Sequence, residues 1–312
     1  MARKAIILDH GGGELANQLW NYANVYAYTL ERGYTLENPS FFEYGSYFSI
    51  PTPPSLFKFF FFNTFKNYTF RKKAPRRKIW RKFYSIYKNC SALLHGSNVI
   101  NHKDPNSHPY YLPPTKDSSD KLKQLEEKGV DIYFNSWLFR NPIGLKNYHD
   151  SVRDYFCPRR DIENGVISRI NDIRGRFQHV IGIHIRQGDY KIWRGGIYFI
   201  GQKRVREIIE EFVKIGGLEK AKTCFIIASD GAVDEKIFDG LNIHISKENA
   251  VFDLFLLSKT DAIIGSNSTF GAFASYYGDI PQIVMQKESM DWQYYSDKKT
   301  FFENKYSTFV HY

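Results

Sequence analysis

Within six residues the sequence places a histidine, an arginine and an aspartate: His184-Ile185-Arg186-Gln187-Gly188-Asp189. The arginine is a planar fork of donors, suited to a phosphate through paired, charge-assisted hydrogen bonds. The residues just before them show how they are held. Ile181, Ile183 and Ile185 alternate with Gly182, His184 and Arg186, the period of two that marks a strand. One parity is wholly apolar, so His184 and Arg186 share the other face. Gln187-Gly188-Asp189 then reads as a turn. Three polar groups therefore stand at the carboxyl end of a buried strand, where open α/β sheets bind ligands. One such group alone is usually just a satisfied polar side chain; three together point to a site.

Other strand ends carry polar residues too. Cys224–Ala228 runs into Ser229-Asp230-Gly231. An aspartate at a strand tip can accept two N–H bonds, as a guanine edge or a ribose requires, and can equally cap a helix over Ala232–Phe238. Ala262–Gly265 runs into Ser266-Asn267-Ser268-Thr269-Phe270, a set of small residues that makes good caps and a good phosphate cradle. Near the start, a strand over Ala5–Leu8 leads through Asp9-His10-Gly11-Gly12-Gly13-Glu14 to a helix that opens at Asn17 and ends near Arg32, with Gly33 beyond it. Strand, glycine loop and helix let a backbone approach an anion, although a tight turn explains the three glycines as well. Phosphate donors and a base acceptor on one rim describe a nucleotide diphosphate.

The elements that must position these groups alternate. After the 180–186 strand come a helix (Lys203–Lys214), a strand (Cys224–Ala228) and a helix around Asp253–Ser258. A strand (Ala262–Gly265), a helix (Thr269–Tyr277) and a strand (Gln282–Met285) follow. This is βαβ repetition, hence an α/β fold with a doubly wound parallel sheet. In the first half, Ser119–Gly129 reads as a short polar helix and Ile132–Phe134 as a strand. The expected boundary lies near Pro158, giving domains 1–158 and 159–312.

Bulk composition narrows the class. At 312 residues with 43% hydrophobic and 24% charged content, the chain is that of a soluble globular protein. A formal charge of +10 calls for an anionic partner. Three distant cysteines without a CxxC pair fit a reducing compartment. The first apolar run is too short for a signal or a membrane span, so the expectation is a cytoplasmic enzyme without an anchor. Between Glu43 and Asp104 there is no acidic residue, while lysines, arginines and aromatics crowd residues 57–88. Such a segment reads as a peripheral membrane contact, as a grip on single-stranded nucleic acid, or as a core helix with one solvated basic face. No zinc ligands or RNA-binding signature accompany it, which argues against nucleic acid.

The motifs together carry a resemblance. Gly12-Gly13 through Leu15-Ala16-Asn17-Gln18-Leu19-Trp20-Asn21-Tyr22-Ala23 resembles the opening motif of the α-1,2-fucosyltransferases, glycosyltransferase family 11. His184 through Tyr190 resembles that family's HxRRGDY motif, Ser229-Asp230 its next, and Ser266 through Phe270 its SNSTF segment. The four occur in the family's order over about residues 6 to 285. Three positions depart from the pattern: Gln187 replaces a second arginine, Ala16 a glycine, and Gly271-Ala272-Phe273 a bulkier aromatic run.

The resemblance implies a GT-B-like α/β fold, with two Rossmann-like domains facing a cleft. It further implies GDP-fucose as donor, inversion at the anomeric carbon, and no metal cofactor. The sequence agrees on the last point, since no Asp-x-Asp occurs. By resemblance Arg186 binds the diphosphate, with Ser268 and Thr269 beside it. His184 and Asp230 lie near the guanosine, and Asn17 beside the fucose. Gly13, Asp189, Ser266, Asn267 and Phe270 complete the donor-binding set. The acceptor would be an oligosaccharide or lipid-linked glycan, with the 2-OH of a galactose as the attacking group. Glu14, next to Asn17, is the first candidate for general base, with His10 and Asp189 behind it. Two other readings stand beside this one: a GT-B enzyme with another GDP-sugar or linkage, and a membrane- or nucleic-acid-binding module.

Overall fold

The computed structural model describes residues 3–9, 13–50, 75–101, 116–135 and 139–296. His10 and residues 57–74 of the basic aromatic segment lie outside the described residues. The chain divides into two compact units, with the change falling between Arg159 and Arg160.

The first unit contains β1 (Lys4–Ile7), α1 (Leu15–Arg32), β2 (Thr35–Glu37), α2 (Pro75–Leu94), β3 (Val99–Ile100), α3 (Lys116–Lys128), β4 (Ile132–Phe134), α4 (Pro142–Asn147) and α5 (His149–Tyr155). Its four described strands are parallel in the order β2-β1-β4-β3. The helix expected to open at Asn17 begins two residues earlier, at Leu15. It ends where Gly33 takes a left-handed φ of 69° and its N–H reaches the Thr29 carbonyl.

The second unit contains α6 (Arg160–Arg174), β5 (His179–Ile185), α7 (Gln202–Ile215), β6 (Thr223–Ser229), β7 (Asn242–Ile245), α8 (Ala250–Leu257), β8 (Ala262–Gly265), α9 (Thr269–Gly278), β9 (Gln282–Val284) and α10 (Trp292–Ser296). The five described strands are parallel, in the order β7-β6-β5-β8-β9. The chain thus winds from β5 outward to β7, then returns to the other side of β5 for β8 and β9. That reversal is a topological switch point, and the crevice at the strand carboxyl ends beside it is where such sheets hold ligands.

The alternation in β5 has the expected consequence. Ile181, Ile183 and Ile185 enter one core with Val205, Ile208 and Ile209 of α7 and Phe225 and Ile227 of β6. Gly182 serves the opposite face: a Cβ there would sit 2.9 Å from the Leu257 side chain and 3.0 Å from Thr260 Oγ1. Its absence lets the end of α8 lie close on the sheet. The helix expected around Asp253–Ser258 starts at Ala250, because Asn249 caps it by accepting the Val251 and Phe252 N–H groups. Within α8 the buried Asp253 accepts a short hydrogen bond from the Ser246 hydroxyl. Burial raises its carboxyl pKa from 3.8 to about 7, opposed by that hydroxyl and reinforced by Glu248.

Candidate active site

The tips of β5, β6 and β8 converge beside the switch point. The backbone N–H of Arg186 donates to Ser266 Oγ at 3.0 Å, joining the β5 and β8 ends across 80 residues of sequence. Ser266 is fully buried. Ser268 caps α9 by accepting the Phe270 N–H at 3.3 Å, so Thr269 and Phe270 open the helix directly after the β8 tip. Asn267 contributes its carbonyl, which accepts from the Tyr190 hydroxyl at 2.8 Å. The Arg186 guanidinium lies over the Tyr190 ring, 5.5 Å from its centroid.

Two carboxylates fix that guanidinium. Nη1 meets Asp230 Oδ2 at 3.0 Å and Nη2 meets Asp189 Oδ1 at 2.7 Å. Asp230 does more than pair. Its Oδ1 accepts the backbone N–H of Gln187 at 2.7 Å and of Gly188 at 3.2 Å. A Cβ on Gly188 would stand 2.7 Å from Asp230 Oδ2, so glycine is needed for this approach. The alternative reading of Asp230 as a cap for a helix over Ala232–Phe238 is corrected: Glu235–Phe238 is one 3-10 turn, and Asp234 caps it by accepting the Lys236 N–H.

Gln187, the departure from the family's second arginine, is 7% exposed. Its amide N–H group donates to Ser229 Oγ and to the Ala232 carbonyl, each at 3.0 Å. Its carbonyl accepts from Gln202 Nε2 at 2.9 Å, and Gln202 also accepts the Asp234 N–H. At this position an uncharged side chain ties the β5 tip to the β6 tip and to α7. The sequence reading did not find Gln202, which is distant in the chain and unremarkable in type.

His184 is 5% exposed and stacks on Phe270, with centroids 4.9 Å apart and an interplanar angle of 27°. Burial first, then the Arg186 charge, lowers its pKa to about 4, with Asp230 opposing. The ring is therefore neutral at pH 7. Its Nδ1 has no hydrogen-bond partner among the described residues, an uncommon condition for a buried polar atom and one that calls for an explanation.

In the first unit Gly13 and the end of β1 are tied in by a network that had no local signature. Glu43 is buried, and Arg81 from α2 grips it through Nε to Oε1 at 2.5 Å and Nη2 to Oε2 at 2.9 Å. Gln18 Nε2 donates to the same carboxylate at 3.2 Å and to the Gly13 carbonyl at 3.3 Å. Farther along α2, the Tyr84 hydroxyl donates to the Leu8 carbonyl at 2.8 Å and Lys88 pairs with Asp9 at 3.0 Å. Arg81, Tyr84 and Lys88 follow at helical spacing, so one face of α2 holds Leu8 and Asp9 at the end of β1, together with Glu43 and Gly13. A Cβ on Gly13 would fall 2.1 Å from Asn17 Nδ2. Glu14 occupies the α1 N-cap position without capping; its carboxylate accepts from the Tyr44 hydroxyl at 2.9 Å.

The expected site residues thus fall into two sets. His184, Arg186, Asp189, Asp230, Ser266, Asn267, Ser268, Thr269 and Phe270 share the rim of the second unit, whereas Gly13, Glu14 and Asn17 gather in the first. Among the described residues no cluster of three or more His, Cys, Asp or Glu could hold a metal ion. Among them, too, no helix is long and apolar enough to cross a membrane.

The architecture is a two-domain α/β one of the GT-B-like kind, with parallel sheets flanked by helices. Solved structures share it. POFUT1 in complex with GDP is 14% identical, with 91% of this chain and 98% of that chain covered and a TM-score of 0.51. NodZ alpha-1,6-fucosyltransferase soaked with GDP-fucose is 15% identical over 93% and 97%, at 0.51. A mutant of Arabidopsis thaliana FUT1 in complex with GDP is 14% identical over 93% and 72%, at 0.52. At such identities the likeness is one of fold. No family model matches the sequence, and no curated protein matches it.

Proposed function

We propose that this chain is an inverting glycosyltransferase that moves L-fucose from GDP-fucose to a glycan hydroxyl, the 2-OH of a galactose. The observation that carries the reading is the placement of Arg186 beside Ser266–Thr269 at the switch point of the second sheet. The four motifs of the α-1,2-fucosyltransferase family support it, as does a fold shared with structures that hold GDP or GDP-fucose. In this reading the second unit binds the donor and the first carries the acceptor side.

Transfer breaks the bond between the fucose anomeric carbon and the β-phosphate oxygen while the acceptor oxygen attacks from the opposite face. Negative charge develops on the departing diphosphate. Arg186, held in place by two carboxylates, offers its remaining N–H donors there, with Thr269 and the first N–H groups of α9 beside it. Each such donor contributes ~3–4 kcal/mol to lowering the barrier. His184 and Asp230 lie toward the guanosine, and a ligand group at His184 Nδ1 would satisfy that atom. Asn17 holds the fucose, and Glu14 receives the acceptor proton. No resident metal takes part.

Incubation with GDP-fucose and a panel of β-galactosides, followed by linkage analysis of the product, tests this. Formation of a 2-linked fucoside is expected; transfer only from GDP-mannose or another GDP-sugar would overturn the donor assignment. Another linkage from GDP-fucose is the second reading, favoured by Gln187, whose amide stands where the family carries a charge.

A further inference from the structure

We infer that α2 docks the protein on an anionic lipid surface. One face of this helix holds Leu8, Asp9 and Gly13, as described above, and packs Tyr84 against Phe42 with Trp80 and Tyr87 at its margin. The opposite face is apolar and exposed. Ile79, Phe83, Ile86, Cys90 and Leu93 follow one another at alternating spacings of four and three, a single stripe along the helix. Ile79 is 52% exposed, Phe83 57%, Ile86 61% and Leu93 84%, and Leu94 at the end of the stripe is 80%. Cys90 is exposed as well.

Two features select the occupant. Lys78 and Lys82 are exposed and lie along one border of the stripe, where long cationic side chains can rest their stems on apolar surface and reach lipid phosphates. The half-buried Trp80 and Tyr87 lie along the other border, a placement that suits the water–lipid boundary. The helix carries no acidic residue; Arg81 and Lys88 are committed to Glu43 and Asp9 on the other face, and the Lys78 and Lys82 charges beside the stripe complement an anionic surface and not a second copy of it. Two such stripes packed together would bring like charges side by side. The helix is too polar to span a bilayer and has the composition of one that lies in the interface. The inference stands independently of the donor proposed above.

Co-sedimentation with vesicles of phosphatidylcholine alone, and of phosphatidylcholine with phosphatidylglycerol, tests it. The chain is expected to sediment with the anionic vesicles only, and to detach as sodium chloride rises. The double variants Phe83→Asp with Ile86→Asp, and Lys78→Glu with Lys82→Glu, should each weaken partitioning by roughly tenfold or more. Circular dichroism establishes that both remain folded, and the lysine pair serves if the apolar pair does not fold. Calorimetry with GDP reads the other proposal separately. Absence of binding, equal binding to neutral vesicles, or unchanged binding in the variants overturns the inference. So does a concentration-dependent dimer abolished by Phe83→Asp, which would make a second copy the occupant.

Discussion

Asp230 holds Arg186 by the side chain and by the backbone that follows it. One carboxylate oxygen meets Nη1 of Arg186 at 3.0 Å, while the other accepts the N–H groups of Gln187 and Gly188. The guanidinium is therefore oriented by the same residue that shapes the turn beneath it. Little side-chain entropy is left to lose when an anion arrives.

Arg186→Ala is expected to remove most of the transfer activity and to weaken GDP binding measured by calorimetry. Charge-assisted contacts of this kind are each worth ~1.5–3 kcal/mol, so a loss of roughly tenfold to a hundredfold in affinity is expected. Arg186→Lys should recover little, because a point charge cannot make both the carboxylate pairs and a forked contact. Wild-type GDP affinity in the alanine variant would remove Arg186 from the donor site.

For the general base, Glu14→Gln should lower kcat by ~10²–10⁴-fold while leaving GDP affinity alone. Tyr44→Phe removes the hydroxyl that donates to Glu14 and should alter the pH profile of kcat without abolishing it. A Glu14→Gln enzyme within a few-fold of wild type would return the role to His10 or Asp189.

The Glu43–Arg81 pair makes a prediction about stability. Arg81→Ala leaves a carboxylate with no exposed side-chain surface deprived of its guanidinium, a change that typically costs ~3–5 kcal/mol. Glu43→Leu combined with Arg81→Met should recover a large part of that loss, since the buried charge goes with its partner. Denaturant unfolding of the three proteins decides it; equal stability of Arg81→Ala and wild type would show the pair to be energetically idle.

Asp253 gives a pH dependence whose sign can be stated. Its folded pKa, about 7, lies above the ordinary 3.8, so the folded state holds the proton more tightly between those values. Its contribution is fully present below about 3.8 and is lost as pH rises through 7. Asp253→Asn keeps the acceptor for Ser246 without the charge. The variant should gain in Tm relative to wild type at pH 8, and that gain should shrink as pH approaches 4. His184 slopes the other way: its folded value of about 4 lies below the ordinary 6.5, so its contribution falls as pH drops through that window.

Chelation offers a further check on the proposed chemistry. Turnover is expected to survive EDTA, because leaving-group charge is assigned to Arg186 and the α9 start. Modest stimulation by Mg²⁺ through capture of GDP is compatible with that. Complete loss, restored by Mg²⁺ or Mn²⁺, would place a cation in the mechanism.

What the sequence made legible was the second sheet's interior. β6 and β8 are apolar runs ended by polar turns, the signature of a parallel strand covered on both faces, while β5 shows one wholly apolar parity ended by the same kind of turn. β7 was missed because Asn242–Ile245 is short, half-buried and at the sheet edge, where burial imposes little pattern. α6 was not assigned, although Ile162, Val166, Ile170 and Ile173 carry a helical period; it lies on the expected domain boundary. The α8 run is apolar on every side except at Asp253, so its periodicity could not mark where it begins. The tie between Glu43 and Arg81 joins residues 38 apart, and no local propensity encodes such a pairing.

The switch point also bears on how the second unit comes to be able to hold a ligand at all. Arg186 and Ser266 meet only where β8 pairs with the open side of β5, across a stretch of chain that carries β6, β7 and α8. Such distant pairing is entropically slow to form. The rim therefore does not exist in any partial fold that lacks β8. A molecule bound there reports on closure of the whole sheet, and its binding energy adds to the stability of that closed state. Ligand-dependent protection of β8 amides from hydrogen exchange would make this coupling visible on residues that never touch the ligand.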